Sequence, residues 1–483
     1  MKILNDILKG IELTVVQGST DIQIHHITFD SRMVEKNGMF VAVPGTRVDG
    51  HKYIDDALEM GANVIVCEHL PENLHDNVTF VAVPDSAKAL SLLAAAFYDH
   101  PSAKLQLVGI TGTNGKTTIA TLLYKLSVAM GYKTGLLSTV AVYIGSESQP
   151  ATHTTPDSLR INKLLADMVN KGVEYCFMEV SSHAVDQKRV SGLHFKGGAF
   201  TNLSHDHLDY HETFDAYLKA KKQFFDELSS DAFAISNMDD RNGAVMLQNT
   251  KALRKYCSLR KLADFKGRII ETHFDGTLLS IDGVEFWSRL IGEFNAYNML
   301  IIYAVAFMLG WDKIEVLQHI SSLHTVDGRF EPIRSESGKT AIVDYAHTPD
   351  ALLNVLKAIR QIRSSEQKII TVVGAGGNRD KEKRPIMARY AADNSDRVIL
   401  TSDNPRFEEP EQIVQDMQYG VKDKHNVLAI TNRKEAIKTA CMMADDNDII
   451  LIAGKGHETY QEIKGERHHF DDKEVVKECF NLK

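Results

Sequence analysis

LQLVGITGTNGKTTIATLLYKLSVAMG, Leu105 to Gly131, decides the fold class. An apolar run ends at Ile110, a glycine turn follows, and an apolar-periodic stretch opens at Lys116. Strand, turn and helix in that order form the first half of a parallel crossover unit. Such a turn offers backbone N–H groups and the positive end of a helix dipole to a phosphate. Lys116 is placed to reach the β- and γ-phosphates, and Thr117 to give its hydroxyl to magnesium. Gly112, Thr113, Asn114, Gly115 and Thr118 complete the candidate nucleotide-binding turn. The strict GxxxxGK[ST] spacing is not met, because Ile110 stands where the first glycine belongs and Gly109 comes one residue early.

The same rhythm recurs outward from that stretch. YCFMEV and GAFTNL continue it in the middle of the chain, and TAIVDYA, KIITVVGAGG, DRVILTS and DIILIAGKG repeat it later. Before it, MFVAV, ANVIVC and the helical YIDDALEMG read as a smaller unit that closes with the helix SAKALSLLAAAFYDHP at Pro101. A chain of 483 residues exceeds one ordinary core. The expectation is an α/β protein of three domains: a small one over 1–100, a central parallel-sheet domain over 101–328 and a third over 329–483.

Composition narrows the class. Apolar residues make up 43% and charged residues 25%, as in a globular protein. An excess of 64 acidic over 55 basic residues weighs against nucleic acid as a partner. No 18-residue apolar span suggests a membrane, and MKILNDILKG is too polar for a signal peptide. Cys67, Cys176, Cys257, Cys441 and Cys479 form no close pair, so a cytoplasmic location is expected.

Polar residues gather where strands end. Glu179 in MEVSSH follows one strand and suits magnesium; NLSHDHLDYH, after the next, carries His205, His207 and His211 among Asp206 and Asp209. Zinc is the alternative there, though no cysteine is near and hard oxygen ligands favour magnesium. The helix FDAYLKAKKQFFDEL carries Lys219, Lys221 and Lys222, which spacing alone leaves as a solvated face. In GEFNAYN, Asn295 is either a helix cap or a reader of a base edge. Arg329 in VDGRF stands where the middle and last parts meet, and DYAHTPD puts Asp344 and His347 at a strand exit. GAGGNRDKEKRP, with Arg379, is open to two readings, a phosphate loop or tight packing. DNPR (Asp403, Asn404, Pro405, Arg406) and GKGHE (Gly454 to Glu458) close two further strands. In an open sheet these exits form one crevice, and two acids with two arginines suit a ligand bearing amino and carboxylate groups.

TGTNGKTT, MEVSSH, DHLDYH, GEFNAYN, DYAHTPD, GGNRDKEKRP, DNPR and GKGHE, in this order, resemble the Mur ligases from FDSR at Phe29 to FDDKEV at Val475. TGTNGKTT also occurs in folylpolyglutamate synthetases; DNPR with GKGHE is more specific. The resemblance implies a UDP-muramoyl-binding domain, a central ATPase and a Rossmann-like amino-acid domain in a monomer. It implies ATP-dependent amide formation through an acyl phosphate, joining meso-diaminopimelate to the D-glutamyl carboxylate of UDP-MurNAc-L-Ala-D-Glu for peptidoglycan. By motif, Lys116 steadies the phosphoryl group while Thr117, Glu179, His207 and a carbamylated Lys221 hold magnesium. Asn295, Arg329, Asp344 and His347 are implied on the nucleotide. Ser31, Thr46, Arg47, Val48, His153, Thr154, Thr155, Ser181, Gln187 and Arg189 are implied on the muramoyl peptide, with His153 replacing a usual Asn. Arg379, Asp403, Asn404, Pro405, Arg406, Gly454 and Glu458 are implied on diaminopimelate, since lysine-adding relatives lack the DNPR arginine. The alternatives are a lysine-adding ligase of the family and a catalytically silent nucleotide-binding regulator.

Overall fold

The computed structural model describes residues 1–45, 48–151 and 153–482, so Thr46 and Arg47 lie outside the described residues. Three main sheets organise the chain. The first has five strands in the order Val15–Gln17, Thr79–Ala82, Val64–Cys67, Met39–Val41, Ile27–Thr28, parallel except at the Val15 edge. Its inner strands are buried at every position, which explains their unbroken apolar runs.

The central sheet has eleven strands. Its parallel core places Gln106–Thr111 between Tyr175–Glu179 and Gly197–Phe200, with apolar clusters on both faces. The flanks are antiparallel: the hairpin Ala141–Ile144 with Glu147–Pro150, and the ribbon Phe265–His273, Gly276–Ile281, Val284–Ser288. These escape the sequence reading because one face is wet and their apolar residues alternate with polar ones. The third sheet has six strands, of which Thr340–Asp344, Ile449–Ala453, Ile369–Ala375 and Arg397–Ser402 are parallel neighbours.

Two sequence boundaries move. The helix expected to reach Pro101 spans Ser86–Phe97, and left-handed His100 turns the chain into a short 3-10 segment, Pro101–Lys104. The helix for which Asn295 is the candidate cap starts earlier and spans Glu293–Met308, so Asn295 lies inside it. Among the described residues no helix is long and apolar enough to cross a membrane.

Candidate active site

The strand leading into the glycine turn is central, and the chain continues to its two sides in turn. That switch opens a crevice beyond the strand ends. Gly115 (φ 88°) caps the helix Lys116–Ala129, and Gly112 has φ 143°. A Cβ on Gly112 would lie 1.9 Å from Thr201 Oγ1, so both the backbone angle and the close approach demand glycine. The turn is stitched to the neighbouring strand exit. Thr201 Oγ1 and Asn202 Nδ2 donate to Asn114 O at 2.6 and 3.2 Å, and Asn114 N donates to Asn202 Oδ1 at 3.0 Å. Thr201 and Asn202 lie in GAFTNL but are not among the expected site residues; only their place at a strand exit beside the turn marks them. Lys116 Nζ arches over the turn to Gly112 O (2.9 Å) and Thr113 O (2.7 Å), and desolvation holds its pKa below the usual lysine value.

Glu179 is fully buried. Its Oε2 accepts from Thr117 Oγ1 at 3.0 Å and its Oε1 from Thr139 N at 2.7 Å. Among the described residues no lysine or arginine pairs with it. A buried carboxylate facing a hydroxyl is the hard-oxygen donor set of a magnesium site, and a cation there would offset its burial. His207 holds a left-handed backbone (φ 55°), and desolvation lowers its pKa to about 3, leaving a neutral imidazole.

Lys221 overturns the solvated-face reading of the helix Phe214–Asp226. It is 1% exposed, whereas Lys219 pairs with Asp215 at the surface and Lys222 bonds Asp226 at 2.7 Å. Lys221 Nζ donates to Gly112 O at 2.8 Å; burial first, and then the Lys116 charge, push its pKa well below the ordinary value. The three-histidine zinc alternative does not assemble. His211 Nε2 faces Ser182 Oγ at 2.9 Å, while His205 Nε2 bonds Asp380 Oδ2 at 2.8 Å and converges with Glu382.

A pocket of about 390 Å³ lies beside the turn, lined among others by Asn114, Thr118, Asn295, Arg329, Asp344 and Asp350. Asn295 is not the helix cap, a role Gly292 takes with φ 96°. Instead its Nδ2 donates to Ile291 O at 2.9 Å and its Oδ1 accepts from Asn298 Nδ2 at 3.0 Å. Arg329 Nη2 donates to Thr117 Oγ1 at 3.1 Å, and the guanidinium lies 4.4 Å over the Tyr345 ring. Asp344 accepts from Phe330 N at 2.7 Å, and burial raises its pKa to about 6. His347 does not line this pocket; its Nδ1 faces Tyr345 O at 2.9 Å, and desolvation lowers its pKa to about 4. Asp350 is a site residue the sequence hides, since an acid in the first turn of Pro349–Ile362 passes for helix chemistry. Its Oδ2 accepts from Asn114 Nδ2 at 3.4 Å, linking the third sheet's first helix to the glycine turn.

The positions implied for the muramoyl peptide divide. Thr155, Ser181, Gln187 and Arg189 form one network: Thr155 Oγ1 donates to Glu179 O (2.7 Å) and accepts from Ser181 N (3.1 Å). Arg189 donates to Thr155 O (2.8 Å) and Gln187 Oε1 (3.1 Å). Thr154 accepts from Thr139 Oγ1 at 3.1 Å, while His153 is exposed. Ser31 and Val48 belong to the first unit, and no hydrogen bond joins them to this network among the described residues.

In the third sheet the exits of Ile449–Ala453, Ile369–Ala375 and Arg397–Ser402 stand side by side. Asp403 is buried and accepts from Asn404 N at 2.7 Å; a Cβ on Gly454 (φ 123°) would meet its Oδ2 at 2.4 Å. Asn404 ties the two loops together, donating to Glu458 Oε2 at 2.7 Å and accepting from the buried Lys455 Nζ at 3.1 Å. The Arg406 guanidinium covers Gly376, whose Cβ would lie 2.9 Å from Nη1 and 3.7 Å from Arg379 Cγ. The open choice for GAGGNRD thus falls to tight packing, with the following helix starting only at Lys383. Asp403 and Asn404 build the loop, while Arg406, Arg379 and Glu458 present charge along its edge.

A UDP-N-acetylmuramoyl-L-alanyl-D-glutamate–2,6-diaminopimelate ligase of Parabacteroides distasonis is 57% identical to this chain over 480 residues, 99% of each. Residues 23–98, 110–306 and 328–456 match the Mur ligase family catalytic domain, the Mur ligase middle domain and the Mur ligase glutamate ligase domain. The chain belongs to the Mur ligase family. Another ligase of that name, from Clostridioides difficile, is 40% identical over 486 residues and 99% of each chain. A solved structure of that name superposes with a TM-score of 0.70 at 32% identity over 99% of both chains. MurF from Thermotoga maritima, in complex with ADP, shares the Mur ligase fold at a TM-score of 0.63 and 19% identity, over 95% of this chain and 97% of its own.

Proposed function

We propose that this Mur ligase adds meso-2,6-diaminopimelate to the D-glutamyl carboxylate of UDP-MurNAc-L-Ala-D-Glu, consuming ATP in peptidoglycan precursor synthesis. The observation that carries the reading is the edge of the third-sheet crevice, where Arg406 and Arg379 stand beside Gly376 and Glu458 is anchored opposite. Diaminopimelate ends in a carboxylate and an ammonium on one carbon, and this edge matches both. Lysine lacks that carboxylate and would leave a partly buried guanidinium unmatched, the kind of loss that discriminates strongly.

The domain roles follow: residues 1–100 take the UDP-muramoyl part, 101–328 the nucleotide and 329–483 the amino acid, in a cytoplasmic monomer. The carboxylate oxygen attacks the γ-phosphorus, giving acyl phosphate and ADP. The amine then attacks the acyl carbon, and collapse of the tetrahedral intermediate expels phosphate with loss of one proton. Lys116 holds the phosphoryl oxygens over the turn, and Arg329, stacked on Tyr345, brings a second cation to Thr117. Asn295, Asp344 and His347 are assigned to the nucleotide side. Thr155, Ser181, Gln187 and Arg189 orient the peptide next to Glu179, with Thr154 and His153 at their margin and Ser31 with Thr46 to Val48 on the UDP end.

Magnesium would be held by Thr117, Glu179 and His207, and would supply charge neutralisation to the phosphates. Lys221 supports a carbamate in the same place. Its desolvated amine is neutral over a wider pH range, so it can add to carbon dioxide and release a proton. The product is an anion beside Lys116, which removes the like-charge repulsion between the two lysines.

The test is phosphate release with ATP, magnesium and UDP-MurNAc-L-Ala-D-Glu, offering meso-diaminopimelate or L-lysine. Turnover with diaminopimelate alone, falling about 10²-fold or more in Arg406→Ala, is expected. Equal turnover with lysine selects the lysine-adding reading, and none with either amine selects the silent regulator.

A further inference from the structure

After GKGHE the chain forms a separate two-stranded hairpin, Tyr460–Ile463 paired with Glu466–His469. Its first strand lies along the DNPR loop instead of joining a main sheet, with an isolated parallel bridge between Arg406 and Ile463. Arg406 N donates to Glu462 O at 2.9 Å, and Lys464 N returns to Arg406 O at 2.6 Å. Glu462 N donates to Asn404 Oδ1 at 2.9 Å, and Gln461 Nε2 to Asp403 O at 2.5 Å. These bonds hold Arg406 at φ 54°, a left-handed angle that costs a non-glycine residue about 1–2 kcal/mol.

The side chain is held as well. Arg406 Nη1 donates to Gly377 O at 2.8 Å, and Nε lies 3.4 Å from Glu462 Oε2. Nη2 has no hydrogen-bond partner among the described residues. Nη1 is thus hydrogen-bonded and Nε ion-paired on the loop side, which leaves the Nη2 end for a ligand.

We propose that Glu462 is a positioning residue for amino-acid selection, fixing the plane of Arg406 so that its free end meets the distal carboxylate of the incoming amino acid. The inference rests on the function proposed above. A planar fork recognises a carboxylate only from a narrow range of directions, so fixing its rotation lowers the entropy lost on binding. An opposite role is conceivable on charge alone, since Glu462 also offsets the cation that a carboxylate seeks. That offset is partial, because the pair stands 3.4 Å apart, beyond ordinary hydrogen-bond length, with both side chains one-fifth to one-quarter exposed. We take orientation to dominate, and it sets the sign expected below.

The test compares Glu462→Ala and Glu462→Gln in the full-length enzyme, measuring KM and kcat for diaminopimelate and KM for ATP. Glu462→Ala is expected to raise the diaminopimelate KM about three- to tenfold while kcat stays within about twofold and the ATP KM is unmoved. Glu462→Gln keeps a side chain of the same size with an oxygen beside Nε, without the charge, and should restore most of the loss. The hairpin's backbone bonds do not use this side chain, and equal thermal melting of the two variants would verify that the loop is intact. A diaminopimelate KM that is unchanged or lowered in Glu462→Ala, in an enzyme whose wild type turns over diaminopimelate, overturns this inference alone. A wild type that does not use diaminopimelate overturns the reading of the crevice, and this inference with it.

Discussion

Two glycine turns of this molecule look alike in sequence and are used in opposite ways. TGTNGKTT and GAGGNRD each follow a buried strand and precede a helix. In the first, the helix begins at the turn, Gly112 and Gly115 hold positive φ, and the backbone frames an open pocket. In the second, neither Gly376 nor Gly377 has positive φ, and both are covered by the DNPR loop. A Cβ on Gly377 would lie 1.9 Å from Pro405 O. One turn uses glycine for left-handed backbone angles beside an open pocket. The other uses it to let a second loop come close and set an arginine above it. Glycine content does not separate them; the distance from the last glycine to the helix start does.

The contrast extends to charge and yields the largest expected effect. Beside the first turn two lysines converge on Gly112 O, Lys116 arching over the turn and Lys221 buried behind it. Lys116→Met should cut phosphate release by about 10²–10³-fold, as removal of one preorganised transition-state donor does elsewhere. The diaminopimelate KM should stay within about twofold. A comparable rise in that KM would show that the two turns do not act on separate substrates. Measuring both constants on one enzyme preparation decides it.

Beside the third-sheet exits a buried acid, Asp344, is the counterpart. Its pKa rises from 3.8 to about 6 on folding, chiefly through burial. The folded state therefore binds the proton more tightly than the unfolded one. Its contribution is fully present below the unfolded value near 4 and is lost as pH rises through 6, by about 3 kcal/mol in the limit. Asp344→Asn keeps the acceptor for Phe330 N and removes the titration. Without nucleotide, the variant should match wild-type unfolding free energy near pH 4 and exceed it by about 3 kcal/mol at pH 8. Equal denaturant midpoints at both pH values would mean that Arg329 compensates the acid in place.

Much of the architecture was readable because parallel strands buried on both faces leave unbroken apolar runs such as VIVC and IILIA. The antiparallel flanks of the central sheet were not, because polar residues on their wet face interrupt any apolar run. Of the site, the phosphate turn and the DNPR and GKGHE loops carried their own signals. Lys221 did not: a lysine buried at 1% exposure reads like its surface neighbour Lys219 until the fold places Gly112 O beside it. Asp350 and Thr201 are also invisible locally, since each acts across a contact more than 80 residues distant in the chain. Lys455 hides as Asp350 does in DYAHTPD. It sits inside a recognised motif, yet nothing in GKGHE says that its ammonium turns inward to Asn404 and Glu458.

The sharpest way to break the comparison is to place the same methyl group in each turn. Gly112→Ala puts Cβ 1.9 Å from Thr201 Oγ1 at a φ of 143°, and Gly377→Ala puts it 1.9 Å from Pro405 O. The two contacts are equally close, so overpacking costs of about 1–3 kcal/mol apply to both, with the strain of a positive φ added at Gly112. Where the strain is relieved differs. In Gly112→Ala the turn must lift from Thr201, moving the N–H groups off the phosphates, so the ATP KM should rise about tenfold and the diaminopimelate KM should hold. In Gly377→Ala the rigid turn forces the DNPR loop outward at Pro405, one residue before Arg406. The diaminopimelate KM should then rise about tenfold with the ATP KM unmoved. If both substitutions raised the same constant, the second turn would be part of the nucleotide site, and the packing account of GAGGNRD would be wrong. If the expected split appears, equally close clashes at two similar turns will have been read out by two different substrates. Only the loops packed against those turns can account for that result.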